Sequence, residues 1–133
     1  MRHLSAALIG LCLLASPALS LGASWKQLSA DMFIEANAIT RSRDAVHANV
    51  KYLYDKEDGA RLQKTFKSKV KPAHSVQRKN FYCNNRMVST SSYTYYAEDG
   101  TVLAAGNIQT QQKTDVVPGS RIEVVYEYAC QPR

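Results

Sequence analysis

Histidine and acidic side chains are the groups in this sequence with the chemistry for metal binding or acid–base catalysis. Beyond the first 20 residues the histidines are His47 and His74, and neither lies beside a cysteine or an acid at metal-ligand spacing. Asp55, Glu57 and Asp58 form the densest acidic cluster, but they lack the alternating oxygen ligands and terminal glutamate of a calcium loop. We therefore predict a solvated turn at this cluster, with no metal, cofactor or catalytic residue, and a protein that is not an enzyme.

Residues 1–20 have the pattern of a secretory signal peptide. Arg2 provides a basic start, and the apolar run from Leu4 to Ala15 is shorter than the roughly 20 residues that span a bilayer. Ala18 and Ser20 then stand at the spacing that a signal peptidase accepts. Cleavage after Ser20 is the favoured prediction, with Ala18 or Ala23 as the alternative sites. Residues 21–133 then form a single exported domain with no membrane-spanning segment.

Cys83 and Cys130 are the cysteines of the exported domain. Export delivers them to an oxidising compartment, where an even pair normally forms a disulfide. An intramolecular bond would close a loop of about 48 residues and stabilise the fold by roughly 4 kcal/mol. An intermolecular bridge and two free thiols are the alternatives.

The chain is basic, with a formal net charge of +6 that becomes +5 once Arg2 is removed with the signal peptide. Such a balance favours anionic partners, which include acidic protein faces, anionic glycans such as sulfated sugars, lipid headgroups and nucleic acid. The alternative is that the positive charge only keeps the domain soluble. Because the domain is exported, we do not expect nucleic acid as its partner.

Residues 61–79 carry seven basic side chains and no acidic one. Lys67, Lys69 and Lys71 alternate with other residues, so an extended segment would present them on one face. We predict Lys64, Lys67, Lys69 and Lys71 as the candidate partner-binding residues. The alternative is a solvated or edge-protecting segment, because lysines on an exposed strand edge prevent pairing with other chains.

Strand signals follow one another along the chain, without the alternation of strands and helices that a parallel sheet requires. Residues 46–54 alternate between apolar and polar side chains, which is typical of a half-buried antiparallel strand. Asp99-Gly100 stands between two further strand-like runs and predicts a tight hairpin, since both residues tolerate positive φ. The pattern predicts an α+β fold in which the sheet is antiparallel.

The segment 116–130 favours a C-terminal helix over a strand. Ser120 and Glu123 have the spacing of a capping box, in which each side chain accepts a hydrogen bond from the other residue's N–H. Apolar side chains then recur with helical period and lead to Cys130. The competing strand interpretation rests on alternation and on the modest helix propensity of valine and tyrosine. We predict that the helix packs on the sheet and that Cys130 links its end to Cys83.

Several motifs in a fixed order resemble the surface-adhesin protein E-like family of small exported bacterial domains. They are Trp25, "MFIEANAI", Cys83 with Arg86, "YYAEDGTVL", and Pro118-Gly119-Ser120 followed by Glu123 and Cys130. The resemblance covers nearly all of residues 25–130. It implies a single antiparallel sheet of about six strands packed with a C-terminal α-helix, and a bacterial envelope or surface location.

For the founding adhesin, the resemblance also implies binding of host matrix and serum proteins. The predicted function is therefore an exported, non-enzymatic, adhesin-like protein that contacts protein or glycan partners at the surface or in the periplasm of a Gram-negative bacterium. The alternative is a periplasmic enzyme inhibitor or accessory factor.

Overall fold

The computed structural model describes residues 23–132, so the predicted signal peptide lies outside the described residues. The strands span β1 (Trp25–Gln27), β2 (Met32–Glu35), β3 (Thr40–Arg41), β4 (Val46–Leu53), β5 (His74–Tyr82), β6 (Met87–Tyr96), β7 (Val102–Asn107) and β8 (Thr114–Asp115). The helices span α1 (Lys56–Phe66) and α2 (Arg121–Ala129), and Ala36–Ala38 form a short 3-10 turn.

All of these strands belong to one antiparallel sheet with the order β1-β2-β4-β5-β6-β7. The short β3 pairs with β4 on the same edge as β2, and β8 pairs with β6 on the same edge as β7. The described strands therefore occupy six positions in the sheet. The predicted α+β fold, with about six antiparallel strands and a C-terminal helix, is confirmed.

Alternation along β4 divides the sheet into two faces. Val46, Ala48 and Val50 are buried, whereas the residues between them are only half-buried. Helix α2 packs on the buried side and contributes Val125 and Ala129 to the same core cluster. We call this side of the sheet the helix face and the opposite side the open face.

Helix α1 corrects the prediction of a solvated turn at the acidic cluster. The Asp55 carboxylate caps the helix by accepting a hydrogen bond from the Asp58 N–H at 2.8 Å. Glu57 and Asp58 stand in the first turn, where negative charge favours the helix dipole. At the other end Lys67 takes a left-handed conformation, and its N–H bonds to the Gln63 carbonyl. Residues 61–66 are therefore helical rather than extended.

Gly59 allows α1 to lie against the chain that leads into β5. It is the buried residue of this helix, and a Cβ atom there would lie 3.0 Å from the Pro72 carbonyl oxygen. Phe66, at the C-terminal end of the helix, lies with its ring centroid 4.6 Å from that of Tyr95. Because Tyr95 is on the helix face, α1 and α2 both lie on the same side of the sheet.

The predicted helix α2 is confirmed, but its start differs from the predicted capping box. The Ser120 hydroxyl donates to the Val117 carbonyl and accepts no hydrogen bond from the helix. Glu123 does reach back, but its carboxylate accepts from the Gly119 N–H at 3.2 Å instead of the Ser120 N–H. The glutamate half of the motif thus acts one residue earlier than expected.

The hairpin at Asp99-Gly100 forms as predicted, with one change in its backbone. Gly100 has a φ of 88°, whereas Asp99 is not among the described residues with positive φ. The Asp99 carboxylate instead accepts a hydrogen bond from the Thr101 N–H at 2.9 Å. The aspartate therefore contributes through its side chain and the glycine through its backbone.

Candidate functional site

The four predicted partner-binding lysines are all exposed, but they do not form one extended face. Lys64 lies in the last turn of α1, and Lys67 ends that helix with a φ of 52°. Lys69 and Lys71 lie in the loop that leads to the buried Pro72. The prediction of a regular alternation through Lys67, Lys69 and Lys71 is wrong, because the chain turns sharply at Lys67.

Lys64 and Lys67 lie with Arg61 around a shallow groove of about 690 Å³ at the C-terminal end of α1. We call these three residues the basic ridge. Arg61 is engaged by Asp58, with 2.7 Å between guanidinium nitrogen and carboxylate oxygen. Gln63 fixes the turn below the ridge, because its side-chain amide donates to two carbonyl oxygens of the following loop. The ridge thus sits on a structured helix end.

Lys69 and Lys71 line a different groove of about 660 Å³, whose other wall is the hairpin between β6 and β7. Glu98 and Asp99 lie on that wall. Hydrogen bonds from Thr101 hold the pKa of Asp99 below its usual value, which favours the charged form of this carboxylate. The structure therefore divides the four lysines into a basic ridge and a pair that faces acidic side chains.

Lys79, which the sequence placed within an exposed basic segment, points into the helix face. Its ammonium donates to the Thr90 hydroxyl at 2.6 Å and lies 5.6 Å from the centroid of the Tyr52 ring. Burial lowers the pKa of Lys79 to about 8. The signal that would have found it is the alternation in β5, which places Lys79 on the same side as the fully buried Phe81.

Aromatic side chains cluster on the helix face beside Lys79. The Tyr95 ring lies 6.1 Å from that of Tyr54 and 5.8 Å from that of Tyr93. Burial raises the pKa of Tyr95 to about 12, so its hydroxyl remains protonated and available for hydrogen bonds. Packing accounts for Tyr54 and Tyr95, as the sequence indicated. Tyr93 also lines a small groove of about 220 Å³ together with Gln77.

The predicted disulfide is confirmed between Cys83 and Cys130, whose Cα atoms lie 5.6 Å apart. It joins the turn between β5 and β6 to the end of α2. The Tyr126 hydroxyl strengthens the same junction by donating to the Cys83 carbonyl at 2.8 Å. Phe81 packs edge-on against the Tyr126 ring, so the junction continues directly into the core.

The contacts of Arg86 explain why the motif has an arginine three residues after Cys83. It adopts a left-handed backbone conformation, with a φ of 51°, that turns its side chain toward α2. The guanidinium contacts Glu123 at 3.0 Å and Glu127 at 3.1 Å, and it lies 5.0 Å from the Tyr126 ring centroid. The residues of these sequence motifs thus make the contacts that hold the C-terminal helix to the sheet.

The histidines within residues 23–132, His47 and His74, lie on the open face. His47 contacts Asn80 at 2.7 Å and Ser42 at 3.0 Å. His74 stacks on Tyr96 at 4.7 Å, and burial together with a neighbouring lysine lowers its pKa. Among residues 23–132, no three histidine, cysteine or acidic side chains lie close enough to share a metal ion.

The described helices are too short or too polar to cross a membrane.

Solved structures of other proteins share this architecture. A crystal form II structure of Haemophilus influenzae protein E superposes with a TM-score of 0.61 at 16% identity, covering 86% of this chain and 93% of that one. A second protein E structure from the same organism gives 0.57 at 16% identity, covering 86% and 89%. No curated protein sequence matches the chain. The model of the surface-adhesin protein E family matches residues 21–131. The chain therefore belongs to the surface-adhesin protein E family.

Proposed function

We propose that this chain is an exported, non-enzymatic, adhesin-like protein that binds a protein or an anionic glycan at the envelope or outer surface of a Gram-negative bacterium. The observation that carries the proposal is membership of a surface-adhesin family, whose model matches residues 21–131. Fold similarity to protein E supports it at the level of architecture.

The basic ridge is the contact surface that the charges favour. Lys64 and Lys67 are exposed, and neither forms an ion pair within the part of the chain that the structure describes. They are carried by the end of a capped helix and therefore present their charges at a defined place. Lys69 and Lys71 contribute less to attraction of an anion, because Glu98 and Asp99 face them across their groove.

Binding to immobilised heparin and to acidic matrix proteins tests this assignment. Substitution of Lys64, Lys67, Lys69 and Lys71 by glutamine should weaken binding several-fold and leave the melting temperature nearly unchanged, since exposed charges contribute little to stability. We expect the pair K64Q/K67Q to account for most of the loss and K69Q/K71Q for little. Wild-type affinity should also fall steeply with added salt.

The matched control is a variant that removes two exposed positive charges elsewhere, R43Q/K56Q. It should bind nearly as well as the wild type, although the net charge is the same as in K64Q/K67Q. Equal loss in both pairs would mean that only the overall charge matters. If the quadruple variant binds as well as the wild type, the basic ridge is not the contact surface.

A periplasmic inhibitor or accessory factor is the second candidate, and one residue favours it. Val70 is 48% exposed in the loop between α1 and β5, and an exposed apolar side chain on a loop can enter the cleft of an enzyme. Treatment of intact cells with external protease separates the two functions. An adhesin at the surface is cleaved, whereas a periplasmic factor is protected until the outer membrane is opened.

A further inference from the structure

The ammonium of Lys79 has hydrogen-bonding capacity that the described residues do not use. An ammonium carries three donors, and one of these bonds to the Thr90 hydroxyl. Tyr52 offers the face of its ring at 5.6 Å but no anion. Within residues 23–132 no carboxylate lies within ion-pairing distance of Lys79. A half-buried cation of this kind normally has an anionic partner.

Lys79 opens into a pocket at the edge of β6. Between the segments that pair with β7 and with β8, the connection over residues 108–113 leaves a space of about 380 Å³. The polar residues that line this space are Lys79, Ser89, Thr90, Thr110, Gln112 and Thr114. None of its lining residues is acidic. The Ser89 hydroxyl is engaged by Asn80 and Tyr82, so the pocket combines one positive charge with the hydroxyl groups of its threonines and the amide of Gln112.

An aromatic groove continues from this pocket. Thr90 and Ile108 line both spaces, and Tyr93, Tyr95 and Phe66 line the second one. Tyr93 can lie flat here because its cross-strand neighbour on β7 is Gly106, where a Cβ atom would come within 2.8 Å of the tyrosine oxygen. The two spaces together offer a charged polar end and an aromatic end.

This combination matches an acidic sugar better than a phosphate or an aliphatic acid. Hydroxyl and amide groups pair with sugar hydroxyls, which also donate and accept, and an aromatic ring packs against the apolar face of a sugar ring. A phosphate would be expected to meet arginines or a helix N-terminus, and neither lines this pocket. A single lysine matches a singly charged group.

We propose that this pocket binds a sugar that carries one singly charged oxyanion, a carboxylate or a sulfate ester, with the anion at Lys79 and an adjoining sugar ring on Tyr93. This inference deepens the proposed function, on which it rests, by naming the ligand class and a second site apart from the basic ridge. The lowered pKa of Lys79 is consistent with a site that lacks its anion.

Titration calorimetry of the mature protein with three oligosaccharides of equal length tests the proposal. The probes are hyaluronan, which carries only carboxylates, sulfated dextran, which carries only sulfates, and uncharged dextran. We expect one charged probe to bind at least ten-fold more tightly than uncharged dextran, which also identifies the anion. Lys79→Met should reduce that binding at least ten-fold, and Gln112→Ala, at an exposed position that does not endanger folding, should reduce it several-fold.

K64Q/K67Q is the control that keeps the two sites apart, and it should change binding of these short probes less than two-fold. If Lys79→Met and Gln112→Ala bind as well as the wild type, or if no charged probe binds better than uncharged dextran, the pocket proposal is wrong. If only K64Q/K67Q loses binding, the basic ridge is supported and the pocket is rejected. Loss in the pocket variants alone supports the pocket, and the ridge is then tested separately by binding to heparin and acidic matrix proteins.

Discussion

Lys79 is the residue at which charge and packing conflict most in this domain. Its aliphatic stem helps to fill the helix face, but its ammonium is partly removed from water without a carboxylate to compensate. The hydrogen bond to Thr90 and the Tyr52 ring recover part of the lost hydration, each at the scale of about 1 kcal/mol. Because the pKa still falls to about 8, the lost hydration exceeds these gains.

Lys79→Met should therefore raise the free energy of unfolding at pH 7 by about 1–3 kcal/mol. The pKa of Lys79 is lower in the folded state than in the unfolded chain, so its destabilising effect is fully present below pH 8. It fades as the pH rises from about 8 to about 10, and the advantage of the variant should fade with it. Urea unfolding at pH 7 and pH 9.5 measures both quantities.

Lys64→Met, at an exposed position, should show neither the gain in stability nor its dependence on pH. A wild type that is more stable than Lys79→Met at pH 7 would show that the contacts of the ammonium outweigh its lost hydration.

At the scale of elements, the two helices begin in different ways. Asp55 caps α1 with its own side chain, whereas Ser120 stands at the start of α2 without capping it. Helix α2 relies on Glu123, on Arg86 and on its buried stripe. Capping residues should therefore matter more in α1, which buries little of its surface.

Asp55→Ala should lower the free energy of unfolding by about 1 kcal/mol, because it leaves the Asp58 N–H without its partner. Ser120→Ala should lower it by less than about 0.5 kcal/mol, because the lost hydrogen bond is a local one to the exposed loop. Chemical unfolding of both variants under identical conditions decides the comparison. Similar losses would indicate that the Ser120 hydroxyl caps α2 in solution.

Gly59→Ala sets helix propensity against close packing. Alanine would favour α1 by about 1 kcal/mol. Its Cβ would, however, lie 3.0 Å from the Pro72 carbonyl oxygen, and hydrogen bonds from Ala73 to Tyr96 and from Tyr54 to Ala73 hold this chain in the sheet. We expect the clash to prevail and the variant to melt at a lower temperature than the wild type.

Ala60→Gly, at the next and exposed position, measures the effect of helix propensity alone. It should lower the free energy of unfolding by about 1 kcal/mol. A Gly59→Ala variant that melts higher than the wild type would show that α1 can move away from Pro72.

Local signals in the sequence were sufficient for the longer strands, for the hairpin at Gly100 and for α2, but not for the two-residue strands β3 and β8. In each case the pattern that decides the structure lies within about ten residues. Helix α1 was missed because Gly59 and the charged residues around it resemble a turn, and only the approach of Pro72 explains the glycine. Lys79 was missed because the basic residues around it suggested an exposed segment, and this concealed the alternation that places it beside Phe81 in β5. The candidate binding site was therefore less predictable than the fold.

At the scale of the whole molecule, the two helices lie on one side of the sheet but toward opposite ends of β5 and β6. Both helices lie on the helix face, and the disulfide and Arg86 fasten α2 beside the turn between β5 and β6. The basic ridge lies at the far end of α1, and the Lys79 pocket lies on the β6 edge between them.

The disulfide also means that the chain before Cys83 and the loop between Cys83 and Cys130 respond differently to mechanical tension. Cys83 and Cys130 are separated by 47 residues, so force applied outside this ring passes through the bond and bypasses a segment of about 160 Å when extended. Single-molecule stretching should give an unfolded length about 160 Å shorter in oxidised than in reduced protein. The basic ridge precedes Cys83 and would be lost as the N-terminal part unravels. A partner held by β6, β7 or α2 would remain attached to a closed covalent loop.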